Sequence, residues 1–147
     1  MKRIKGYLVR DDGRWEHYAV WEEHYGPAPW RQGYPFRIHH INGKKKDNHI
    51  ENLVPVDDYL HQCIHFDGEE VNRDACIAKF RECQVFQLDW DKAMLEDWQN
   101  LPNPSFGSEE TKQRLRNSAE EQIQRLRNSI EATTKGLAYK EKTDENH

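Results

Sequence analysis

The sequence predicts a small α+β protein whose centre is a short β-ribbon followed by a helix. Three observations support this. The segment Pro35-Phe36-Arg37-Ile38-His39-His40-Ile41 is short, aromatic and β-branched, and it is bounded by Pro35 and by Asn42-Gly43, so it reads as a strand. Leu53-Val54-Pro55-Val56 reads as a second strand that pairs with the first across the loop Asn42–Asn52. Because Pro55 cannot donate to a ladder, this ribbon should have an exposed edge. His61 and His65 then stand four apart behind Asp57, a good N-cap, as expected on one face of a helix.

The other elements follow in order. Ile4–Arg10, a turn at Asp11-Asp12-Gly13 and Trp15–Tyr18 suggest an N-terminal β-hairpin. Ala19–Tyr25 reads as a short helix ended by Gly26-Pro27. Leu60 and Ile64 would form the buried stripe of the histidine helix, with Cys63 toward the core, and Asp67-Gly68 should end it. Val71–Cys83 and Asp89–Gln99 read as two further helices. Residues 101–107, Leu-Pro-Asn-Pro-Ser-Phe-Gly, form a linker. Residues 108–134 form a helical tail with Ser108 as N-cap and two acids in its first turn. Within the tail, Gln-Arg-Leu-Arg-Asn-Ser occurs at 113–118 and again at 124–129, a period of 11 that keeps both copies on one helix face. Leu115, Ile123, Leu126 and Ile130 give the tail a thin apolar stripe, suited to a homodimer or to partner docking. Residues 135–147 are expected to be disordered.

Five of the eight histidines fall within residues 39–65, and four of them form two pairs: His39 and His40 side by side, then His61 and His65. Neutral imidazole is a common ligand for divalent metals and the side chain best suited to proton transfer near neutral pH. Three ligands and one base suit metal-assisted hydrolysis at a site with an open coordination position. The i, i+4 histidine pair also occurs in zinc proteases, but those carry Glu after the first His, and here Gln62 stands there. Neighbouring strand residues point to opposite faces, so His39 and His40 should flank the site, one toward a metal and one toward the attacking water.

The segment His39-His40-Ile41-Asn42-Gly43, then Asp47-Asn48, then Glu51-Asn52-Leu53, then His61 and His65, resembles the HNH endonuclease family. Trp21-Glu22-Glu23-His24-Tyr25-Gly26-Pro27 is similar to phage-type members. The resemblance covers roughly residues 14–66. It implies a ββα-metal core over 34–66 within a nuclease domain of residues 1–100. It implies His40 as general base, Asn52 as the residue that pins the loop and orients that base, and His39, His61 and His65 as metal ligands, as in the bacteriocin nuclease branch. A backbone carbonyl of the Asn52 loop is the expected partner of the second ring nitrogen of His40. Three imidazoles suit zinc, whereas the family is often active with magnesium or manganese, so one divalent ion (Zn, Mg or Mn) is the expected cofactor. The segment Phe106-Gly-Ser-Glu-Glu-Thr-Lys also resembles modular DNA-binding segments that accompany HNH and GIY-YIG homing nucleases.

Composition limits the alternatives. The chain of 147 residues is polar, 35% hydrophobic and 33% charged, so five Trp, six Tyr and five Phe should supply much of a small core. No run of 18 apolar residues exists, and the N-terminus lacks the apolar stretch of a signal peptide. Cys63, Cys76 and Cys83 lack C-x-x-C spacing, which fits reduced cytosolic thiols. The net charge of −4 does not advertise a nucleic-acid binder, yet residues 1–50 hold ten Lys/Arg against six Asp/Glu. The candidate DNA contacts are Arg37, Lys44, Lys45 and Lys46 near the site and Lys112, Arg114 and Arg116 on the tail. His17, His24 and His147 have no assigned role, and His49 lies where it could touch substrate.

The reading is therefore a metal-dependent DNA endonuclease with a single-metal, His general-base mechanism. By resemblance it is phage-encoded or a homing endonuclease, acting in the host cytoplasm with no membrane partner. The alternatives are a nucleic-acid-binding or regulatory protein with the same fold and no turnover, or a structural metal module.

Overall fold

The computed structural model describes residues 1–30, 36–68 and 70–141. Pro35, expected to open the first ribbon strand, lies outside the described residues, as do 142–147. Two two-stranded sheets and four α-helices are present among the described residues, so the protein is α+β.

The N-terminal hairpin is not the expected one: its turn falls at Lys5-Gly6, inside the segment read as the first strand, Ile4–Arg10. Strand β1 (Lys2–Ile4) pairs antiparallel with β2 (Tyr7–Val9), and Ile4 faces Tyr7 across the two-residue turn Lys5-Gly6. Both turn residues have positive φ, 52° and 87°, as the tightest hairpin turns require. The Asp-Asp-Gly turn also exists, with Arg10 N–H donating to the Arg14 carbonyl, but only one bridge, Val9 to Trp15, follows it. Instead of a strand, helix α1 (Glu16–Tyr25) starts at once. Arg10 anchors the hairpin to α1 through Glu16 and Glu23.

Strands β3 (Phe36–His40) and β4 (Leu53–Asp57) pair antiparallel, His40 opposite Leu53 and Phe36 opposite Asp57. Helix α2 (Asp58–Asp67) follows directly, capped by the Asp57 carboxylate, which accepts from Leu60 N–H at 2.7 Å, and stopped by left-handed Gly68. Leu60, Cys63 and Ile64 are only half-buried. The ribbon lacks the open edge that Pro55 suggested: Leu53 through Val56 are all buried. It forms a middle layer, with α2 on one face and α1 and α3 on the other.

Residues read as two helices form one, α3 (Arg73–Gln99). Residues 84–88, between the two expected helices, are helical, and Gln84 and Gln87 are buried there. Gln84 donates to the Tyr25 carbonyl at 2.7 Å, and Gln87 donates to Asp91, which accepts from Ser129. Helix α4 (Glu109–Ala138) starts at the expected cap, Ser108, but is not a free tail. It packs on α3 and α1 and buries Leu126, Thr133 and Gly136. Gly136 passes so close to α1 that a Cβ there would sit 2.0 Å from the Tyr25 carbonyl oxygen. The helix continues beyond 134, and residues 139–141 are held by side chains described below, so the disorder expected from 135 does not begin there. Of the tail's apolar stripe, only Leu115 stays exposed.

The core sits where these layers meet, around Trp21, Tyr25, Ile38, Leu53 and Phe80, with Trp21 stacked on Tyr25 at 4.0 Å. No helix among the described residues is long and apolar enough to cross a membrane.

Candidate functional site

Strand alternation sorts β3 into two faces. Arg37 and His39 point toward α2; Phe36, Ile38 and His40 point toward α1 and α3. His39 meets His61 and His65, one turn apart on α2, with ring centroids at 5.6 and 5.3 Å. The ligand nitrogens of the three lie within 4.8 Å of one another, and those of His61 and His65 are 3.0 Å apart. Bonds of about 2.0–2.1 Å to a shared ion need nitrogens no more than about 4.2 Å apart, so the three imidazoles fit one divalent cation with little adjustment. Burial first, then His61, His65 and His40, push His39 down to about 4. Burial, His65 and Arg37 also lower His61. Both are neutral near pH 7, with a lone pair available for a metal.

His40, on the other face, is buried. Its ring lies 4.9 Å from that of His17 on α1 and 6.0 Å from Tyr7 on β2. Its Nε2 bonds the Asn48 side-chain oxygen at 2.7 Å. In a neutral ring, an accepting oxygen at Nε2 leaves the lone pair on Nδ1. The partner is thus a side chain of the loop and not the expected backbone carbonyl. All four histidines line one small hollow, beside which Tyr7 and Lys45 stand.

The loop between the strands is held by Asn52. Its Nδ2 donates to the Asp47 carbonyl at 2.8 Å and to Asn42 Oδ1 at 3.0 Å, and its Oδ1 accepts from Asn42 N–H. Its backbone carbonyl accepts from Ile41 N–H, closing the ribbon. These bonds tie Asn52 to Asn42, where the loop starts, and to Asp47, the neighbour of Asn48. His49 is exposed and bonds Asp47, which raises its pKa.

The candidate DNA contacts are spread out. Lys44 and Lys46 are exposed, whereas Lys45 turns back to the Lys5 carbonyl and over the Tyr7 ring. Arg37 is paired with Asp58 at 2.6 Å. On α4, Lys112 pairs with Glu109, Arg114 with Glu110, and Arg116 bonds Gln113. From Arg116 to Ala138, the end of α4 nearest the site, is about 33 Å of helix at 1.5 Å per residue.

Sequence reasoning passed over His17. Its ring is buried against His40 and Tyr7, its Nδ1 has no partner, and burial with His40 nearby pushes it down to about 4. Nothing in the spacing marks it, because it reaches the site from a different element.

Residues 14–58 match a family model described as HNH endonuclease. Those residues belong to the HNH family. No curated protein and no solved structure matches the chain. The HNH match contains His39, His40 and Asn52 and points to nuclease chemistry, which implies a nucleic-acid substrate. It ends before His61 and His65, so the case for those two rests on their distances to His39. The HNH family is generally metal-dependent, in keeping with this histidine cluster.

Proposed function

We propose that this protein is a metal-dependent DNA endonuclease that hydrolyses phosphodiester bonds with one divalent ion and a histidine base. The observation that carries the reading is the convergence of His39, His61 and His65 beside His40 in one hollow within an HNH segment. His40 Nδ1 takes the proton from a water aligned on the phosphorus, and Asn48 keeps the ring in the tautomer that can do so. Asn52 holds the loop that carries Asn48. His39, His61 and His65 would hold the ion (Zn, Mg or Mn), which when bound stabilises negative charge on the phosphate and on the leaving 3′ oxygen. Lys44 and Lys46 are free to meet the DNA backbone near the site, with Arg37 and Lys45 reaching it by exchanging their present partners. Lys112, Arg114 and Arg116 would touch DNA well away from the cut. A homodimer through α4 would have to use Leu115 and the first turns of the helix.

Cleavage of supercoiled plasmid with a panel of divalent metals tests the proposal. Wild type is expected to nick or linearise the plasmid, and His40→Ala and His61→Ala to abolish this. Equal cleavage by all three proteins, or none by wild type with any metal, would reject it.

A further inference from the structure

We infer that Arg73 and Glu141 form a brace that positions the loop around Asn52, which makes the segment after α4 a working part of the site. The inference rests on the nuclease reading above and extends it to residues outside the HNH segment.

Arg73 is the first residue of α3, and its guanidinium turns toward the ribbon. Its Nε donates to the Leu53 carbonyl and its Nη2 to the Ile50 carbonyl, both at 2.9 Å. These carbonyls bracket Asn52. The outer edge of the same guanidinium grips both oxygens of Glu141, through Nη1 at 2.8 Å and through Nη2. Tyr25 OH donates to Glu141 at 2.5 Å. One planar fork thus joins the two ends of the short turn Ile50–Asn52 to the segment that follows α4. Arg73 and Glu141 retain only 18% and 25% of their side-chain exposure, so removing one would leave a largely desolvated charge without its partner.

The chain is guided to this point. Gly136 lets α4 pass against Tyr25 and Gly26. Arg81 then holds the Tyr139 carbonyl at 2.6 Å, and the Tyr139 ring sits against Tyr25 and His24. From Arg73 the path inward is short: Asn52 ties Asn42 and Asp47, and Asn48, next in the chain, bonds His40. Arg73 and Glu141 touch neither metal ligands nor base, so they are positioning residues. Lysine at 73 would keep the charge but could not span two carbonyls and a carboxylate.

The test uses full-length protein, steady-state plasmid nicking well below each variant's melting temperature, and metal titration. Arg73→Lys is expected to lower kcat about tenfold, with KM and metal affinity within about twofold of wild type. Glu141→Ala should lower kcat less, Glu141→Gln, which keeps an acceptor for Arg73 and Tyr25, less still, and Arg73→Lys with Glu141→Ala no more than Arg73→Lys alone. Wild-type kcat in Arg73→Lys, or parallel losses in KM and metal affinity, would overturn the inference. Amide hydrogen exchange gives a readout independent of turnover. Arg73→Lys should speed exchange within residues 41–53 and leave α3 beyond Gln84 unchanged. Unchanged exchange at 41–53 overturns the brace, while an inactive wild type with the expected exchange pattern rejects only the nuclease reading.

Discussion

The two faces of β3 are one residue apart and chemically unlike. On the His39 face, three half-exposed or exposed imidazoles meet across a ribbon and a helix with their nitrogens close together. On the His40 face, a buried imidazole sits among rings, with one nitrogen committed to Asn48. Under the proposed mechanism, adjacent histidines on one strand would supply a metal ligand and a base from opposite sides of the same ribbon. Alternation sends His39 toward α2 and His40 toward α1, while both side chains border the same hollow.

The comparison breaks most visibly if the faces are not independent. His61→Ala should weaken zinc binding by calorimetry more than about 100-fold, because losing a ligand costs at least what losing its orienting partner costs. His40→Ala should leave zinc affinity within a few-fold of wild type while losing cleavage by about 10²–10⁴-fold, the usual worth of a general base. Equal loss of zinc affinity in both variants would mean that one cluster, not two faces, is the right description. Asn48→Ala sharpens the point. It should lower kcat about 10–100-fold, as an orienting partner does, with zinc affinity unchanged.

How much of this was legible in the sequence follows the same division. The ribbon, the Asp57 cap and the α2 histidine face are short-range features, set by alternation, capping and the 3.6-residue period, and they appear where expected. The features that failed depend on distant partners. The single helix α3 depends on buried bonds from Gln84 to the Tyr25 carbonyl and from Gln87 and Ser129 to Asp91, which nothing in the local sequence marks. The Asp-Asp-Gly turn forms, but the strand after it gives way to α1, whose Trp21 and Tyr25 belong to the core. Residues 139–141 lie beyond α4, and their bonds to Arg73 and Arg81 come from residues far away in the sequence. His17 and Asn48 were missed as partners of His40 because one comes from another element and the other depends on the folded loop.

His17 offers the smallest and most selective test of the buried face. Its folded pKa of about 4 lies below the unfolded value of about 6.5. Between those values the unfolded chain binds the proton more readily, so stability falls as pH drops from about 6.5 to about 4 and levels off below. The size of the effect is about 3 kcal/mol at 1.36 kcal/mol per pH unit. His39 titrates in the same window for similar reasons, so its share persists when His17 is replaced. The aromatic ring of Phe fills the space without the unpartnered Nδ1. Metal-free His17→Phe should therefore keep its melting temperature near pH 7 and lose roughly half of the wild-type decline between pH 6.5 and 4. An unchanged decline would mean that His17 is not the proton-sensitive group on this face, leaving His39 to carry the acid sensitivity from the other side of the strand.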